Sequence, residues 1–122
     1  LPRYGIVGFC WGGGTSFAHA VRSPEGLGAA VVYYGPSPDT TDLGRVKVPV
    51  LGLYAGDDQR INARVPATDS VMRRLGKPYD VHFFEGAGHG FLRAQEGREA
   101  NRLAAERAWP LTVAFFRRHL GG

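Results

Sequence analysis

Three short segments of this chain carry side chains suited to nucleophilic catalysis. Cys10 sits inside Gly8-Phe9-Cys10-Trp11-Gly12-Gly13-Gly14, between a short apolar run and a helix-compatible run. This is a cysteine version of the nucleophile elbow, a tight strand-to-helix turn whose flanking glycines let a strained backbone pack against its neighbours. The N-terminus of the helix that follows offers free N–H groups and a positive dipole, both of which favour a thiolate. The second segment is Tyr54-Ala55-Gly56-Asp57-Asp58, where an apolar run opens into a loop and presents carboxylates. The third is Gly86-Ala87-Gly88-His89-Gly90-Phe91, a glycine-rich loop able to hold an imidazole. Thiol, imidazole and carboxylate together make a nucleophile, its base and the group that orients the base.

Each residue also has a plainer reading. A lone cysteine is often a small buried hydrophobe, but Cys10 lies within a glycine frame that this reading does not require. Either Asp57 or Asp58 could be the acid, or could simply cap the next helix; the spacing from Gly56 favours Asp58. His19, His82 and His119 read as a helix-face residue, a strand residue and a partner for a helix C-terminus. Trp11 reads as a residue that shields the elbow or lines a pocket. The acidic pair has no second ligand cluster at metal-binding spacing, so neither metal nor cofactor is expected. Gly8 to Gly14 lacks the Lys-Ser or Lys-Thr of a phosphate-binding loop, and Gly12-Gly13-Gly14-Thr15-Ser16-Phe17 lacks the last glycine of a dinucleotide fingerprint.

To position these residues the chain offers alternating strands and helices, the pattern of an α/β domain. Residues 4–9 read as a short buried strand ending at the elbow, and residues 15–21 as a helix with Phe17, Ala18 and Val21 on one face. Residues 29–34 and 48–54 are β-branched and aromatic runs that suit parallel strands covered on both faces. Residues 37–46 are polar and turn-rich and fit either a short helix or a loop. Residues 63–75 are helical in pattern, with Val65, Val71, Met72 and Leu75 apolar and Pro66 marking a start nearby. Residues 79–85 alternate as a fourth strand near an edge, residues 86–93 form a loop, and residues 98–120 form a helix that Pro110 should kink or divide. In a parallel sheet the C-terminal ends of all strands share one edge, where ligands bind in open α/β folds, so the three segments converge there.

Composition limits the remaining options. At 122 residues, 43% hydrophobic and 21% charged, the chain is a single globular domain without an apolar run long enough for a membrane span. Its net charge of +4 comes from arginines scattered over several segments, with Lys47 and Lys77 the only lysines. No basic stripe interleaves with aromatics, which argues against nucleic acid. The single cysteine excludes an intrachain disulfide and leaves the compartment open, with the cytoplasm slightly favoured. The opening Leu1-Pro2-Arg3-Tyr4 has neither initiator Met nor signal-peptide pattern, and reads as the start of a cut chain.

The order nucleophile, acid, histidine is that of α/β-hydrolases. The chain closely resembles the dienelactone hydrolase family, an α/β-hydrolase branch with a Cys-His-Asp triad. Its G-x-C-x-G-G elbow matches Gly8, Cys10, Gly12 and Gly13; its G-x-D motif matches Gly56 and Asp58; its G-H-x-F loop matches Gly88, His89 and Phe91. The resemblance spans the whole chain and implies the C-terminal half of such a fold: a parallel sheet of about four strands with flanking helices, forming one partial domain over residues 1–122. It further implies catalysis by Cys10, Asp58 and His89, an oxyanion-hole donor at the Trp11 backbone N–H, and a substrate-carboxylate contact at Arg93. The family's first strands are absent, and with them a second oxyanion donor and an acidic residue that contacts the resting thiol. The best-known members carry a serine after the histidine, where this chain has Gly90.

The expected activity is therefore hydrolysis of a small ester or lactone, one bearing a carboxylate among them, through a thioester. Two alternatives stand beside it. One is a weak or inactive half-domain whose exposed first strand pairs with a second copy or with a missing N-terminal half. The other is a thiol-based redox or acyl-transfer protein that uses Cys10 without hydrolysis.

Overall fold

The structure is a computed structural model and describes residues 3–91 and 98–120. Four strands, β1 (Tyr4–Phe9), β2 (Leu27–Tyr33), β3 (Val50–Ala55) and β4 (Tyr79–Phe84), form one parallel sheet in the order β1-β2-β3-β4. The connections are α1 (Trp11–Arg22), a 3₁₀ turn over Thr40–Arg45, then α2 (Gln59–Asn62) and α3 (Val65–Arg74). The chain ends in α4 (Glu99–Leu120). This is the α/β arrangement that strand and helix periodicity predict.

Every residue of β2 and β3 is buried, as their unbroken apolar runs require of central strands covered on both faces. One face carries α1, α3 and the 3₁₀ turn, with Phe17, Leu43, Val65 and Met72 packed on Val32, Val50 and Tyr54. The other carries α4, whose Ala104, Ala108 and Phe115 meet Val31, Leu51 and Leu53. Full burial of a side chain the size of Phe17 stabilises the fold by roughly 2–3 kcal/mol. Gly5 lets α4 come close: a Cβ there would stand 2.4 Å from the Phe116 ring.

Several local expectations are corrected. The first strand is not buried: β1 is an edge, with Tyr4 and Val7 exposed, because it is the outermost strand of the sheet among the described residues. In α1, Ala18 faces solvent and, among the side chains described, the buried positions are Ser16, Phe17 and Ala20. Leu75 lies past the end of α3 and is exposed. Most informative is Pro110, which does not divide the last helix: α4 runs continuously through it. Pro110 and Glu106 both lie on the exposed face, so the Glu106 carbonyl that loses its helical partner is open to water.

Candidate active site

Cys10 joins β1 to α1 with φ 54° and ψ −119°, a left-handed conformation that costs a non-glycine residue on the order of 1–3 kcal/mol. Hydrogen bonds hold it from both sides. Its N–H donates to the Tyr33 carbonyl at 3.1 Å, extending the β1–β2 pairing, and its carbonyl accepts from the Gly14 N–H at 3.3 Å, the first bond of the helix. Trp11 opens α1, and the first N–H groups of a helix have no acceptor within it.

The acid comes from the loop after β3. Asp58 is mostly buried, and its Oδ2 accepts a hydrogen bond from Nδ1 of His89 across 31 positions of sequence. A carboxylate can only accept, so Nδ1 carries the proton and Nε2 of the neutral ring is left as an acceptor. Asp57 turns elsewhere: its Oδ2 accepts from Nη1 of Arg98 at 3.0 Å, and the same nitrogen donates to the Gly86 carbonyl at 2.9 Å. Asp58 makes no side-chain cap on α2. Of the two aspartates, Asp58, which the spacing favours, is the histidine's partner.

The loop that carries His89 is tied to its surroundings at several points. The Asp57 N–H donates to the Ala87 carbonyl at 3.0 Å, and the Gly88 N–H donates to Oδ1 of the buried Asn101 in α4 at 2.8 Å. The Tyr34 ring meets the imidazole edge-on at 5.3 Å between centroids. Tyr34 is itself fully buried, with φ 38°, at the end of β2. The far end of the acid turn is held by Asn62, whose amide nitrogen donates to the carbonyl of Ala55 at 2.6 Å.

Cys10, Asp58 and His89 line one cleft of about 430 Å³, together with Pro36, Arg60 and Ile61. Such a cleft at the C-terminal edge of a parallel sheet suits a small acyl substrate. Arg93 lies outside the described residues.

A family model described as "Dienelactone hydrolase family" matches residues 2–120. The chain belongs to the dienelactone hydrolase family. A protein of Saccharolobus solfataricus, named as a candidate carboxymethylenebutenolidase, is 38% identical over 113 residues, covering 92% of this chain and 43% of that protein. Among solved structures, a candidate dienelactone hydrolase of Klebsiella pneumoniae superposes with a TM-score of 0.81 at 27% identity, over 94% of this chain and 52% of its own. The dienelactone hydrolase of Anabaena variabilis does so with a TM-score of 0.69 at 25% identity, over 95% and 49% respectively. The chain thus spans about half the length of the curated relatives it matches. These likenesses establish the α/β-hydrolase fold for this dienelactone hydrolase family chain.

Four residues of the site are absent from the sequence reading: Tyr34, Pro36, Arg60 and Ile61. The first two follow directly on the end of β2, and the last two fall in α2 just after Asp58. A residue one turn past a strand end is a candidate lining residue whatever its type, and that rule would have found them. Among the described residues, no helix is long and apolar enough to cross a membrane.

Proposed function

We propose that the chain carries the catalytic half of an ester or lactone hydrolase that works through a thioester. The observation that carries this reading is the Asp58–His89 pair facing the cleft that Cys10 also lines. His89 Nε2 takes the thiol proton as Cys10 Sγ attacks the ester carbonyl, and Asp58 holds the ring through Nδ1. The Trp11 N–H donates to the developing oxyanion. When the tetrahedral intermediate collapses, His89 returns the proton to the departing alkoxide, and an acyl thioester remains on Cys10. A water then loses its proton to His89, attacks the thioester and releases the acid and the thiol. Membership of the dienelactone hydrolase family supports the reaction class.

Hydrolysis of neutral aryl esters by the wild type, Cys10→Ala and His89→Ala tests this reading. Either substitution is expected to lower kcat at least about 1000-fold. Equal rates from all three proteins would overturn it.

A second reading rests on β1. Its outer edge leaves backbone groups unpaired, and Tyr4 and Val7 are 41% and 37% exposed beside it. Such an edge accepts a further strand, from a second copy or from a segment preceding residue 1 in a longer chain. Light scattering on the 122-residue chain is expected to show a dimer or larger species; a well-behaved monomer with a solvated first strand removes the second-copy form of this reading.

A further inference from the structure

We propose that β4 is a self-association edge: a second copy of this chain pairs with it antiparallel, about a twofold axis that passes by His82. This surface lies at the opposite side of the sheet from β1 and is independent of the hydrolase reading.

The backbone sets which groups are on offer. The Val50 N–H donates to the Pro78 carbonyl at 3.1 Å and the Gly56 N–H to the Phe84 carbonyl at 2.8 Å, so the even-numbered residues of β4 direct their backbone groups at β3 in this parallel ladder. Tyr79, Val81 and Phe83 therefore aim theirs outward, and β4 ends the sheet among the described residues. Exposed edges are normally blunted by a lysine, a proline or a bulge. β4 has none of these: its register against β3 is unbroken from Tyr79 to Phe84, whereas that of β1 against β2 shifts between Tyr4 and Gly5. Phe83 is 50% exposed on this edge, and Leu103 of α4, which lines a groove with it, is 41% exposed.

Charge identifies a second copy as the occupant. Phe84 packs with the α4 side of the core, so His82 and Asp80, two and four residues before it, share that side of the strand. Arg107 of α4 lines the groove of about 600 Å³ that runs along residues 81–84 on this edge. Asp80 and Arg107 are both exposed, and neither makes an ion pair among the described residues. With the axis at His82, Val81 meets the second copy's Phe83 through the outward-facing backbone groups of both. Asp80 then falls opposite the second copy's Phe84, on the side where that copy's Arg107 lies. Twofold symmetry makes this acid–base contact twice. An unrelated strand has no reason to carry an acid and a base at these two places, whereas a second copy always does.

Sedimentation velocity at low salt tests the pairing by charge swap. Asp80→Arg and Arg107→Asp are each expected to weaken the dimer at least about tenfold, since each turns two attractions into repulsions, and the double variant to return to within about threefold of wild type. Both positions are exposed, so neither reversal threatens the fold. A wild type that stays monomeric at every concentration reached overturns the proposal. So does an assembly that keeps its size through both single reversals, as one formed through β1 would. Because Cys10 is the only cysteine, a Cys10→Ala background allows a second measurement. There His82→Cys faces its own copy across the axis with Cα atoms about 4.5 Å apart, within disulfide reach, and is expected to form a covalent dimer when diamide oxidises the two thiols. Asp80→Cys stands roughly 13 Å from its own copy in this register and is expected not to link. Equal linking at the two positions, which general aggregation would give, or linking at neither, overturns the proposed pairing.

Discussion

Asp57 and Asp58 are adjacent and chemically identical, yet their surroundings give them different work. The carboxylate of Asp58 is 11% exposed and orients an imidazole; that of Asp57 is 59% exposed and meets Arg98, itself half exposed. Exposed pairs of this kind are worth about 0–1 kcal/mol, so Asp57→Asn is expected to change stability by less than about 1 kcal/mol and kcat less than threefold. Asp58→Asn leaves the shape of the turn but offers Nδ1 an amide that can present a donor. It is expected to lower kcat about 1000- to 10,000-fold. Steady-state kinetics with an aryl ester on the two variants checks both statements, and comparable losses would contradict the division of roles.

The elements explain why such small turns hold their geometry. The acid turn passes so close to the end of β4 that a Cβ on Gly56 would stand 2.8 Å from the Phe84 carbonyl and 3.0 Å from the Glu85 Cα. Both neighbours are backbone and cannot swing aside. Gly56→Ala is therefore expected to destabilise the chain by about 1–3 kcal/mol, seen as a lowered Tm, and to depress kcat by displacing Asp58. A Tm equal to wild type would show that the turn relaxes freely. On the other face of the sheet, the Thr112 hydroxyl lies 2.6 Å from that of Tyr33, and both residues are buried. Burial pushes the Tyr33 pKa up against the opposing pull of that hydrogen bond. Thr112→Val strands the Tyr33 hydroxyl and is expected to cost about 1–3 kcal/mol in chemical denaturation. The four strands were legible, with bounds up to two residues off, because period and β-branching are local signals. The passage of α4 through Pro110 was not, since it depends on which side of the helix faces water.

At the scale of the whole molecule, stability has a built-in alkaline limit. The hydroxyls of Tyr54 and Tyr79 are bonded to each other between β3 and β4 in the buried layer. Burial raises the Tyr54 pKa to about 12, mainly because a phenolate there would be poorly solvated. Tyr79 is pushed up too, first by burial and then by the charge that Tyr54 would carry. In the unfolded chain both titrate near 10. The folded state thus binds these protons more tightly: the stabilisation is complete below about pH 10 and is lost as pH rises toward the folded values. Chemical denaturation is expected to show a fall on the order of 2 kcal/mol between pH 10 and 12. A Tyr54→Phe/Tyr79→Phe double variant should flatten that fall. The edge position of β1 and the half-length match to relatives also belong to this scale.

The sequence by itself determined the chemical inventory and its order along the chain: a thiol on a strained turn, carboxylates after a strand, and an imidazole in a glycine loop. Those signals are local, set by the backbone conformations that Gly8 to Gly14, Gly56 and Gly86 to Gly90 permit and by the strand periods between them. Spacing already favoured Asp58 over Asp57; only the tertiary structure turned Asp57 toward Arg98 and brought Arg60 to the cleft. Those outcomes depend on how a turn is rotated by contacts from residues such as Asn62, Arg98 and Asn101. Rotation of that kind is fixed through space, and spacing along one segment does not record it.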